Sequence, residues 1–143
     1  MTSKEKGDIG EIIIMAEFIK KGITVAKPFG DNARYDLIAD FNGKLNKIQV
    51  KYCDQKIRNN SVICPCASSK NHTTNKKYTT YEHDIDYMAF YLKDWNLCVI
   101  ISIDEISSRK SICFRKDKPK TNQKNVHMVE DYTFDKLLPQ LYT

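Results

Sequence analysis

An aspartate, a glutamine and a lysine stand at positions 36, 49 and 51, on either side of an Asn42-Gly43 pair. Asn-Gly is the preferred two-residue loop of a type I′ hairpin, because both central positions need positive φ. With that loop, Phe41 pairs with Lys44, Asp36 lies opposite Gln49, and Arg34 lies opposite Lys51. Side chains alternate along a strand, so Arg34, Asp36, Gln49 and Lys51 emerge on one face. Tyr35, Leu37, Ala39 and Phe41, with Ile48 and Val50, form the other, which is a core face. The first face joins a carboxylate, an amide carbonyl and an ammonium, a set suited to metal-assisted phosphodiester hydrolysis. That reaction needs an attacking hydroxide, a neutralised phosphate and a stabilised leaving oxygen, and a divalent cation on hard oxygen ligands can serve all three. Asp36 offers the carboxylate, Gln49 a neutral carbonyl oxygen, and Lys51 a cation for the attacking water or the scissile phosphate. The same residues would equally make a solvated sheet face with a diagonal Asp36–Lys51 pair.

The elements that must hold this hairpin are legible around it. Residues 4–21 carry apolar side chains at helical spacing (Ile9, Ile12, Ile13, Ala16, Ile19), and Gly22 is a natural residue to end the helix. Glu11 lies in this helix within Gly7-Asp8-Ile9-Gly10-Glu11, where it can reach the Asp36 side or serve as an ordinary first-turn acid. Close approach of the backbone to a sheet or a phosphate would explain the two glycines, each costing about 1 kcal/mol in a helix relative to alanine. Residues 23–27 read as a short strand. Residues 61–67 read as another, expected to pair with the strand of Gln49. Residues 68–80 (SSKNHTTNKKYTT) are polar, basic and aperiodic, which predicts a long loop. Residues 87–92 and 97–103 bracket Lys93-Asp94-Trp95-Asn96 as a second hairpin. A short helical turn follows at 103–106, then an edge strand at 112–115 and a basic loop at 116–126. A C-terminal helix spans 133–141, with Thr133 as its N-cap and Phe134, Leu137 and Leu138 on one side.

The chain has 143 residues, 41% hydrophobic and 29% charged, with 23 Lys+Arg against 18 Asp+Glu and a formal charge of +5. These values predict one domain over residues 1–143 with a real core. No apolar run approaches the roughly 20 residues of a membrane span and no signal peptide opens the chain, so a cytoplasmic protein is expected. The charge permits a nucleic-acid partner without requiring one. Cys53, Cys64, Cys66, Cys98 and Cys113 read as reduced, mostly buried thiols; Cys64-Pro-Cys66 near His72 lacks the spacing of a zinc site.

Taken together, Glu11 on a first helix, Asp36, and Gln49-Val50-Lys51 resemble the PD-(D/E)XK nuclease superfamily, an α/β fold with a restriction-endonuclease-like mixed β-sheet core and flanking helices. The resemblance looks closest to its group I intron-associated homing endonucleases. It runs through Gly7-Asp8-Ile9-Gly10-Glu11, Pro28-Phe29-Gly30, Tyr35-Asp36-Leu37, Ile48-Gln49-Val50-Lys51-Tyr52, and Tyr81 followed by Asp84-Ile85-Asp86-Tyr87-Met88-Ala89-Phe90-Tyr91. It implies a Mg2+-dependent DNA endonuclease, with Mn2+ as a substitute. Asp36 would be the principal metal ligand, Glu11 a supporting acid, Lys51 the catalytic lysine, and the Val50 carbonyl and Gln49 further ligands. Gln49 stands where an acid is usual in the superfamily, and glutamine also occurs there within the homing branch. For DNA contact the expected residues are Arg34 and, in the polar segment, Lys70, Asn71, Asn75, Lys76, Lys77 and Tyr78. Lys116, Lys118, Lys120 and Lys124 are further candidates for the phosphate backbone. Cutting both strands of a duplex implies a homodimer or higher homo-oligomer. A Holliday-junction resolvase of the same fold and a non-catalytic DNA-binding derivative are the alternatives.

Overall fold

The computed structural model describes residues 1–72, 75–79, 81, 83–106, 109–119 and 126–141, with 68–72 and 75–79 described by their backbone. In chain order the elements begin with α1 (Ser3–Lys20), β1 (Val25–Ala26), β2 (Leu37–Phe41), β3 (Lys44–Cys53), β4 (Ser61–Pro65), β5 (Ser68–His72) and β6 (Asn75–Thr79). They continue with β7 (Tyr87–Leu92), β8 (Leu97–Ser102), α2 (Ile103–Ile106), β9 (Ser111–Arg115), β10 (His127–Met128) and α3 (Phe134–Leu141).

The Asn-Gly turn forms as its residues require. Asn42 and Gly43 take φ of 54° and 92°, and the antiparallel β2–β3 register runs from Phe41–Lys44 to Leu37–Ile48. The other edge of β3 pairs in parallel with β7, which pairs antiparallel with β8, giving a five-stranded sheet ordered β1-β2-β3-β7-β8. With both edges of β3 taken, β4 cannot pair there. It pairs instead with β9, in a second sheet ordered β10-β9-β4. Two expectations are corrected together: residues 61–65 belong to this other sheet, and 111–115 is its central strand, not an edge.

The five-stranded sheet is covered on both faces. Ile14 and Phe18 of α1, with Phe134 and Leu138 of α3, pack on Leu37, Ala39, Phe41, Ile48, Val50, Ala89 and Ile100. The second sheet packs on the opposite face, joining Val62, Cys64, Ile112 and Phe114 to Met88, Phe90, Leu92, Val99 and Ile101. This double cover explains the unbroken apolar runs of β7 and β8. Each fully buried Ile or Phe contributes about 1.5–3 kcal/mol. Cys53, Cys64 and Cys66 are buried between the sheets, where the Cys64 thiol donates to Cys53 Sγ at 2.9 Å; Cys98 and Cys113 are half-buried.

The helix turns a different stripe to the core than its isoleucines suggest. Gly10, Ile14 and Phe18 are buried, whereas Ile12 and Ile19 are each 61% exposed. Gly10 sets that rotation: a Cβ there would sit 3.3 Å from Tyr52 Cβ and 3.6 Å from Val50 Cγ1. Gly7 has nothing within 4 Å, so close approach accounts for only one of the two glycines. Tyr52 Cβ is rooted in a central strand and cannot yield by changing rotamer. Gly10→Ala is therefore expected to destabilise the fold by about 1 kcal/mol, overpacking outweighing the gain in helix propensity. Gly7→Ala, in open space, should gain about 0.5–1 kcal/mol. Urea denaturation of the two variants checks the contrast.

Residues 68–79, expected as a loop, contain an antiparallel ribbon of β5 and β6, pairing Ser69–Tyr78, Lys70–Lys77, Asn71–Lys76 and His72–Asn75. A ribbon of wholly polar sequence carries no apolar alternation by which to be recognised. Thr133 Oγ1 accepts from the Lys136 N–H at 3.4 Å and caps α3 as expected. Among the described residues no helix is long and apolar enough to cross a membrane.

Candidate active site

At Asp36 the chain of β2 parts from β3, one residue beyond the Leu37–Ile48 rung. The expected Asp36–Gln49 and Arg34–Lys51 pairs are not formed. The Asp36 N–H donates to the Ile48 carbonyl at 2.9 Å, and its carboxylate accepts the Val50 N–H at 2.8 Å. The side chain thus replaces a ladder partner for an amide that the departing strand would leave unpaired. A strand residue's N–H and C=O point to the same side, so the Val50 carbonyl also lies on the Asp36 side of β3.

The site residues consequently lie on different sides of β3 instead of sharing one face, and only Glu11 and Asp36 share a cleft. Gly10 lies against Val50 and Tyr52, so Glu11 approaches from the helix-covered face and shares a cleft of 420 Å³ with Asp36, Asp8, Lys27 and the 28–35 segment. Asp36 lies at the edge of β3. Gln49 and Lys51 alternate with the core residues Ile48 and Val50 and lie, half-buried, on the face turned toward the second sheet.

The electrostatics of the cleft ask for positive charge. Burial raises the Asp36 carboxyl above the usual carboxylate value, and the Glu11 charge adds to the rise. The Val50 hydrogen bond and the ammoniums of Lys51 and Lys27 pull the other way without cancelling it. Glu11 is held by Lys27, Nζ to Oε1 2.8 Å, and this hydrogen bond raises the Lys27 ammonium above its ordinary value. No feature of the sequence singles out Lys27, since it is one lysine among many at the end of a short strand.

Arg34 and Lys51 meet across a residue rather than across a ladder. The Arg34 guanidinium lies 4.6 Å from the centre of the Tyr81 ring, and its Nε donates to Asp84 Oδ2 at 3.1 Å. Lys51 Nζ lies 5.2 Å from the same ring centre and 3.5 Å from the Tyr81 hydroxyl. Tyr81 stood within a motif of the family resemblance but had no role assigned. Lys116 stacks over Trp95 at 4.9 Å, and Lys118 is exposed. Lys120, Lys124 and the side chains of Lys70, Asn71, Asn75, Lys76, Lys77 and Tyr78 lie outside the described residues.

Among the described residues no group of three or more His, Cys, Asp or Glu is arranged to hold a metal. The carboxylates of Asp8, Glu11, Asp31 and Asp36 line the cleft without closing to ligand spacing as a group, the Val50 carbonyl lies on the Asp36 side of β3, and the Gln49 amide is on the face turned toward the second sheet. All are hard oxygens, fitting Mg2+ or Mn2+ over a thiophilic metal.

The solved structure of the bacterial homing endonuclease I-Ssp6803I is similar to this fold, with a TM-score of 0.76 over 98% of this chain and 95% of that one, at 24% identity. No curated protein sequence matches the chain. A family model described as PD-(D/E)XK endonuclease matches residues 1–135. With the match running across nearly the whole length, the chain belongs to the PD-(D/E)XK endonuclease family.

Proposed function

We propose that this chain is a single nuclease domain that cleaves double-stranded DNA at specific sites, in the manner of a homing endonuclease, in the cytoplasm and with Mg2+ as cofactor. The observation that carries this reading is the Asp36 carboxylate fixed on the Val50 amide, in one cleft with Glu11. Asp36 and Glu11, the Val50 carbonyl and the Gln49 amide oxygen would hold the cation. When bound, it supplies charge neutralisation and activates water for attack at phosphorus. Lys51 presents its ammonium to the attacking water or to a non-bridging phosphate oxygen and stabilises the charge that grows there. Arg34, fixed by Asp84 and Tyr81, offers a further cation to the backbone. Gln49 removes one negative charge from the family's acid position, and Glu11 restores it from the other face.

One such site cuts one strand, so the working form is a homodimer or higher homo-oligomer. The test is incubation with a random-sequence duplex library in Mg2+, with the cut ends sequenced. Recurrent, pseudo-symmetric ends are the expected result. Cleavage confined to four-way junctions would make the chain a resolvase, and binding without cleavage of any DNA would make it a non-catalytic derivative.

The β5–β6 ribbon is the DNA-contacting element. Its register sets Lys70 opposite Lys77, a like-charge rung that phosphate contact would relieve. Lysine–phosphate contacts release counterions and are blind to sequence. Replacing Lys76 and Lys77 together by alanine should weaken target and non-target binding alike and reduce the log–log salt slope by about 1.8 for two contacts. Asn71→Ala or Asn75→Ala should instead lower discrimination between sites, because amides can read base edges. A salt titration on two DNA sequences separates the outcomes; an unchanged slope for the double variant removes the ribbon from the interface.

A further inference from the structure

We propose that Tyr81 is the positioning residue of the catalytic lysine: its ring and hydroxyl hold the Lys51 ammonium in one place beside β3. This rests on Lys51 acting in the proposed nuclease reaction, and it adds a residue to which no role has been assigned. Tyr81 is only 6% exposed and packs in the core between the two sheets. Two cations lie near its ring, Arg34 at 4.6 Å and Lys51 at 5.2 Å from the ring centre, the latter toward the hydroxyl end. Each is attracted to the ring, and Asp84 offsets part of the Arg34 charge, which lowers the repulsion between the two cations. The hydroxyl lies 3.5 Å from Lys51 Nζ, giving the flexible ammonium an oxygen partner as well as a face. An unguided lysine on a four-carbon stem would sample many rotamers, and this pair of contacts removes that freedom before substrate arrives.

The test compares Tyr81→Phe, which keeps ring and core, with Tyr81→Leu, which removes both attractions. Single-turnover cleavage in Mg2+ should fall about threefold for the phenylalanine and about 30-fold for the leucine variant; duplex affinity in Ca2+ should be unchanged in Tyr81→Phe and should fall in Tyr81→Leu only by the few-fold that loosening Arg34 costs, well short of the loss in rate. A role confined to folding would not spare affinity while grading the rate by ring and hydroxyl. A second measurement is independent of activity: in protein with 13C-methylated lysines, the Lys51 resonance, assigned by its loss in Lys51→Arg, should be ring-shifted. It should keep that shift in Tyr81→Phe and lose it in Tyr81→Leu. An active wild type whose Tyr81→Leu variant cleaves at the same rate overturns this inference alone. A Lys51 resonance that does not move between wild type and Tyr81→Leu also overturns it. A wild type inert on every DNA, with the ring shift present and lost as described, overturns the nuclease reading while leaving the Lys51–Tyr81 contact standing.

Discussion

Asp36→Asn is expected to lower single-turnover cleavage in Mg2+ by about 10³-fold or more while duplex affinity in Ca2+ stays within about twofold of wild type. The substitution keeps shape and an oxygen acceptor for the Val50 N–H, so the fold at the end of β2 survives. What disappears is the negative charge of the proposed principal metal ligand. The same variant should be more stable than wild type without metal. Because burial raises the Asp36 carboxyl, the folded chain keeps a proton there over a pH window in which the unfolded chain has already released it. The stabilisation is complete below the unfolded value and is lost as pH rises through the raised folded value. At neutral pH the half-buried carboxylate is therefore a cost that asparagine removes. Melting in EDTA should show Asp36→Asn above wild type near pH 7, with the gap closing on acidification. Full activity of the variant in Mg2+ would sink the assignment of Asp36, and a lower melting temperature throughout would contradict the electrostatics of the cleft.

Lys51→Ala should cost about 10²–10³-fold in the same single-turnover assay, again with little change in binding, because in the proposed reaction the ammonium acts on charge that exists only in the transition state. Lys51→Arg should not restore the rate. A guanidinium is broad and planar, and the Tyr81 ring already has one on it from Arg34, so a second would have to share that surface. Normal cleavage by Lys51→Ala beside an inert Asp36→Asn would leave metal chemistry in place and remove the lysine from it.

The hairpin was legible because it obeys local rules: an Asn-Gly turn, alternating residues and one buried face. Those rules carried the register as far as Leu37–Ile48 and failed at Asp36, where a side chain-to-amide hydrogen bond takes over from the ladder. A pattern of period two has no means of announcing that a strand stops pairing. The sheet partner of residues 61–65 was illegible for a different reason. Pairing is decided by which edges remain open, and the parallel match of β3 with β7 involves residues almost forty positions apart. Glu11 was found through its place in a motif, not through the helical period, which pointed at Ile12 and Ile19 where close packing at Gly10 turned another stripe inward. Lys27 carried no mark at all, since its meaning lies in the acid it faces.

The hydrogen bond from Val50 to Asp36 also bears on how such a site drifts through evolution. The carboxylate is steadied by a main-chain donor that every residue except proline possesses. The hydrogen bond therefore sets no demand on the side chain at position 50, which answers only to its packing under Gly10. An anchor written in the peptide backbone leaves no conserved letter of its own beside the acid, so the architecture can outlast the spelling around it.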